Sequence, residues 1–159
     1  MNPAPTSSAN AMRYPRTLSL VWRWLEWPLN ALQPLAALVA RLYVAQVFFL
    51  SGLTKLRDWD TTLALFADEH HVPLLPTPAA AVMGTFGETV LPVLLVLGLM
   101  GRVPALGLAV VNVVAVVSLA EIAPAALQQH ITWGVLLAGL AIFGSGRWTL
   151  DAWWTSRRP

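Results

Sequence analysis

Four stretches of the chain are almost wholly apolar: residues 35–54, 79–100, 104–120 and 127–145. Each approaches the ~20 residues that carry an α-helix across ~30 Å of hydrocarbon. The pattern predicts an all-α protein, a four-helix transmembrane bundle. Upstream, "LSLVWRWLEWPLN" reads differently. Leu18, Val21, Trp22 and Leu25 recur at helical spacing, while Arg23 and Glu26 fall elsewhere on the wheel. Three tryptophans within six residues suit a helix lying in the membrane interface, so 18–34 is expected to be an N-terminal interfacial helix. Arg23 and Glu26 also interrupt any signal-peptide core, so the segment is expected to be retained. Residues 1–17, polar and rich in Pro and Ser, are expected to be a disordered tail. The membrane domain is placed at 35–152, followed by a basic tail at 153–159.

The connections are unequal. The longest, "KLRDWDTTLALFADEHHVPLLPTP", has room for a short helix from Thr61 to Ala67, ended by Pro73, Pro76 and Pro78. The others are the tight turn "GRVP" and the segment "EIAPAAL".

Composition reinforces the membrane reading. Hydrophobic residues make up 57% of the chain and charged ones only 11%, less than half the usual share in soluble domains. A soluble core of 159 residues could not bury so much apolar surface. The net charge of +2 is too small to suggest nucleic acid, and the absence of cysteine excludes disulfides, thiolate metal sites, iron–sulfur clusters and a cysteine nucleophile. The placement of charge says more. With both termini on one side, that side carries Arg13, Arg16, Arg23, Arg102, Arg147, Arg157 and Arg158; the other carries only Lys55 and Arg57. Seven against two places both termini in the cytoplasm. Trp59 and Trp133 would then mark the outer interface, and Trp148, Trp153 and Trp154 the inner one.

Two charges fall within the apolar segments. Arg41 lies about a turn and a half into the first and Glu88 near the middle of the second. Either would cost at least ~2.5–3.5 kcal/mol alone at a helix centre, so they are expected to face inward and pair. Arg41, Ala45, Phe48, Gly52 and Lys55 share one helical stripe; Gly84, Glu88 and Pro92 share another. Pro92 cannot donate to the Glu88 carbonyl, which leaves a spare acceptor beside the carboxylate. Asn112, Gln46 and His130 are further candidates for an intramembrane polar site. That pair can equally be a structural staple, since polar contacts also hold membrane helices together. "DEHH" sets His70 and His71 beside two carboxylates, a weak metal candidate, because neighbouring histidines point ~100° apart on a helix. A solvated loop is the plainer account of that cluster. The glycines of "GSGRWTLD" suit a helix stop; with no preceding strand they are no dinucleotide fingerprint. No catalytic motif is present, and whether the protein is an enzyme stays open on these grounds.

"RLYVAQVFFLSGLTKL" on the first segment and "GETVLPVLLVLGLMGR" on the second, with "QHITWG" and "GSGRWTLD" later, resemble the DoxX family of small four-helix bacterial membrane proteins. The likeness covers roughly residues 35–152 and leaves the Trp-rich extension outside it. It implies a multi-pass protein of the bacterial inner membrane. In that family it further implies an accessory or partner subunit of a redox, oxidative-stress or copper-handling system, bound to the lipid bilayer and to another membrane or redox subunit. The alternatives are a quinone-binding oxidoreductase subunit, with quinone as the cofactor, and a small transporter of a metal ion or organic anion.

Overall fold

Prolines and glycines set the helix boundaries. The structure, a computed structural model, describes residues 16–69, 72 and 74–157. Its elements are α1 (Arg16–Arg57), α2 (Trp59–Asp68), α3 (Thr77–Leu97), α4 (Val103–Ser118), α5 (Pro124–Phe143) and α6 (Leu150–Thr155), with no extended strand among the described residues. Helices α3, α4 and α5 each carry proline in the first two positions, where its missing N–H has no helical partner to lose. Helix α3 stops at Gly98, whose φ of +66° only glycine adopts at no steric cost. Helix α2 starts at Asp58, whose carboxylate accepts from the Thr61 amide at 3.0 Å and the Thr61 hydroxyl at 2.7 Å. Those two bonds, the hydroxyl first, hold the Asp58 carboxyl below its ordinary pKa.

Three helices contain spans long and apolar enough to cross a bilayer: Glu26–Arg57, Thr77–Leu97 and Pro124–Phe143. The fourth apolar helix, α4, has 16 residues, or ~24 Å. The interfacial helix expected at 18–34 is not a separate element. Helix α1 runs through that boundary for 42 residues, and no glycine between residues 17 and 51 supplies a stop.

The chain falls into two units, Met1–Leu32 and Gln33–Pro159. In the first, Trp24 and Trp27 are exposed. In the second, α3 packs on α2 and α4, and α4 packs on α5. Its main core joins Val44 and Phe48 of α1, Leu95 of α3, Ala105 and Leu108 of α4, and Leu137 and Leu140 of α5. A smaller cluster seats Phe66 of α2 on Ala80 and Ala81 of α3. Large apolar side chains cover the outside, among them Phe86, Val110, Val135 and Phe143. Soluble monomers seldom present so continuous an apolar exterior, whereas a lipid-facing surface does.

Candidate functional site

The stripe on α1 is buried as expected: Arg41 is 1% exposed, and Ala45, Phe48 and Gly52 are buried below it. Its two charges find different partners from those expected. The Arg41 guanidinium does not pair with Glu88. It donates from Nε to the Leu95 carbonyl at 2.9 Å, from Nη1 to the carbonyls of Ser145 at 2.8 Å and Trp148 at 2.9 Å, and from Nη2 to the carbonyl of Val96. Leu95 and Val96 lie in the last turn of α3, where carbonyls lack the usual i+4 donor and carry the negative end of the helix dipole; the Leu95 carbonyl also accepts from the Gly98 amide at 3.2 Å. Ser145 and Trp148 lie in the turns after α5. Four main-chain oxygens thus replace the carboxylate.

The reason is register. An ideal Cβ on Gly52 would lie 2.7 Å from the Thr89 methyl and 3.0 Å from the Glu88 carbonyl carbon. Helices α1 and α3 therefore run antiparallel in close contact, with Gly52 beside Glu88 and Arg41 beside Leu95. Arg41 sits opposite a point about 10 Å along α3 from Glu88. Lys55, one turn beyond Gly52, takes the Glu88 carboxylate instead. The side chains are only 18% and 8% exposed, so the pair is held mostly away from solvent. Lys55 Nζ also donates to Ser51 Oγ at 3.3 Å. An ammonium has three N–H donors, and these two bonds leave one unused.

The pair, with Ser118, forms the polar part of a cavity of about 420 Å³ beneath α2. Apolar residues line the rest, from Phe66 of α2, Val72 and Leu75 of the following loop, Met83 of α3, and Val110 and Val114 of α4. Gly84 keeps space open there; a Cβ on it would lie 3.3 Å from the Phe66 ring.

Asn112 and His130 join α4 to α5. The Asn112 amide donates from Nδ2 to the His130 carbonyl at 2.9 Å, so its Oδ1 faces the ring Nδ1 at 2.8 Å. An amide oxygen only accepts, which places the neutral ring's proton on Nδ1 and leaves Nε2 with its lone pair. The His130 ring meets Trp133 edge-on at 4.9 Å between centroids, and Trp133 meets Phe48 at 5.9 Å. Trp133 therefore packs partly buried against the core.

The structure thus brings Lys55 to Glu88 and Asn112 to His130. It sets Arg41 apart and leaves Gln46 exposed in a lateral groove of α1 and α3 beside Pro92. His70 and His71 lie outside the described residues, and no group of three potential metal ligands forms among those described. Two polar atoms that the residue pattern did not flag are buried without a hydrogen-bond partner: Thr85 Oγ1 and Trp133 Nε1. Chemically the site offers an ammonium with a spare donor and a carboxylate beside a mostly apolar space, while the His130 imidazole stands outside its lining. These groups can bind a polar head and accept or supply protons.

No curated protein and no solved structure is matched by the chain. A family model does match, over residues 36–121, which takes in the Arg41 and Lys55 stripe, Glu88 with its proline, and Asn112. With more than half of the chain inside that match, this membrane protein belongs to the DoxX family.

Proposed function

We propose that the protein is an accessory subunit of a bacterial inner-membrane redox system, and that it holds a small lipophilic carbonyl compound of the quinone class in the cavity beneath α2. The observation that carries this reading is the Lys55–Glu88 pair set into an otherwise apolar space of about 420 Å³. Ligand pockets of ~300–1,000 Å³ are mostly apolar, with a few polar groups fixing orientation. The unused Lys55 N–H suits a carbonyl acceptor, and the Glu88 carboxylate suits a hydroxyl donor. Together they fit both the carbonyl and the hydroxyl form of such a ring. His130, held by Asn112 in the neighbouring contact of α4 with α5, keeps a lone pair on Nε2 that can accept a proton. A bound quinone supplies electron-carrying capacity, and the chain's own residues hold its head and manage the protons. We place both termini in the cytoplasm, in line with the arginine count.

The test is binding of a short-tailed ubiquinone to purified protein in detergent, read by thermal shift and by quinone co-eluting after gel filtration. Wild type should be stabilised by the quinone. Lys55→Met should bind it at least about tenfold more weakly, the loss expected for one charge-assisted hydrogen bond. Equal binding by Lys55→Met and wild type, or no binding by wild type, would overturn the proposal.

A further inference from the structure

The opposite end of the bundle carries a second concavity that the cavity beneath α2 does not touch. It is a groove of about 720 Å³ between the end of α3 and the C-terminal segment around α6, lined by Val96, Leu97, Arg147, Trp148, Thr149 and Trp153 among others. Its composition is amphipathic. Val96, Leu97 and Leu150 give an apolar wall, while Trp148 and Trp153 stand about half exposed at 56% and 54%. Tryptophans of this kind mark headgroup depth in membrane proteins.

The charges here are out of balance. Arg147 lines the groove, and neither its guanidinium nor that of nearby Arg102 has a carboxylate partner or side-chain hydrogen bond among the described residues. Arg157 stacks over the Trp153 ring at 4.0 Å. One acid stands among them, Asp151, and its Oδ2 accepts from the Gly101 amide at 2.8 Å. The carbonyls of Val96 and Trp148 would make the groove floor negative, but Arg41 occupies both from beneath. Donors remain available. The Thr149 hydroxyl accepts from the Ala152 amide at 3.1 Å, so its own hydrogen is unused by that bond.

From this we infer that the groove binds the phosphate of an anionic phospholipid. Arg147 pairs with the phosphate, the Thr149 hydroxyl donates to it, and the acyl chain follows the Val96–Leu97 wall. A guanidinium gives a bidentate phosphate contact that a diffuse positive surface does not. The site is independent of whatever fills the cavity beneath α2.

The experiment is native mass spectrometry of the full chain, released from detergent with added phosphatidylglycerol or phosphatidylcholine. Wild type should retain phosphatidylglycerol preferentially. Arg147→Gln should lower that retention about five- to tenfold, in line with the contribution of one arginine at an anionic surface. Arg57→Gln, at the far end of the bundle from the groove, should leave it unchanged. Equal losses in both variants would reduce the effect to bulk charge and overturn the site. So would equal retention of the two lipids by wild type, or full displacement by millimolar inorganic phosphate, which would mark a free-phosphate site instead. If Arg147→Gln does not fold, a photoactivatable phosphatidylglycerol on wild type decides. Labelling of residues 147–156 supports the site, and labelling elsewhere alone refutes it.

Discussion

Lys55 and Glu88 meet across two helices in a largely desolvated contact, whereas Arg41 and Glu88 share no partner. A double-mutant cycle separates these arrangements. Lys55→Met and Glu88→Gln should show a coupling energy of about 1 kcal/mol or more in detergent unfolding, because each single change strands the other charge. Arg41→Leu and Glu88→Gln should be additive within about 0.5 kcal/mol, as for separated sites. Strong coupling in the second cycle would mean that the guanidinium reaches the carboxylate after all. At this scale the residue pattern was half legible. It gave the buried stripe and every charged member of it. It misassigned the partner of Glu88 because spacing on one helix carries no register to the next. The acceptors of Arg41 are main-chain oxygens, which no residue type announces; only the glycines of "GSGRWTLD" hinted at a helix end with carbonyls to spare.

Among elements, the contact of α1 with α3 depends on the missing side chain of Gly52. A methyl group there meets the Thr89 methyl and the Glu88 main chain at 2.7–3.0 Å, and the main chain cannot swing aside. Gly52→Ala should therefore lower stability by about 1–3 kcal/mol, the usual cost of overpacking. It should also weaken quinone-class binding by shifting Lys55 from Glu88. Adding Thr89→Ser removes the nearer methyl and should recover part of the stability, measured by thermal melting; full stability in Gly52→Ala alone would show that the two helices are not so tightly apposed. Hydrophobic length and the prolines made α3, α4 and α5 readable to within a few residues, since helix starts and stops have local causes. The unbroken α1 was less readable. Its Trp-rich stretch carries an interfacial pattern, but the backbone has no glycine with which to act on it.

For the whole molecule, the arginine asymmetry makes a topological claim. The chain has no cysteine, so single cysteines can be introduced without a background. In intact cells, Thr61→Cys on α2 should react with a membrane-impermeant maleimide, and Ser156→Cys beyond α6 should react only after lysis. The reverse pattern would invert the topology.

The acceptors of Arg41 also bear on how the protein is made. Two of them come from residues 104 and 107 positions later in the chain. At synthesis rates of ~5–20 residues per second, roughly 5–20 s separate the emergence of this arginine from that of the oxygens that complete its shell. During that interval the cation has at most the Leu95 and Val96 carbonyls, which emerge 54 and 55 positions after it. Insertion machinery, or water at the headgroups, must shelter it until the last turns arrive. A ribosome that stalls between residues 96 and 145 would leave a nascent chain whose arginine has only half of its four acceptors.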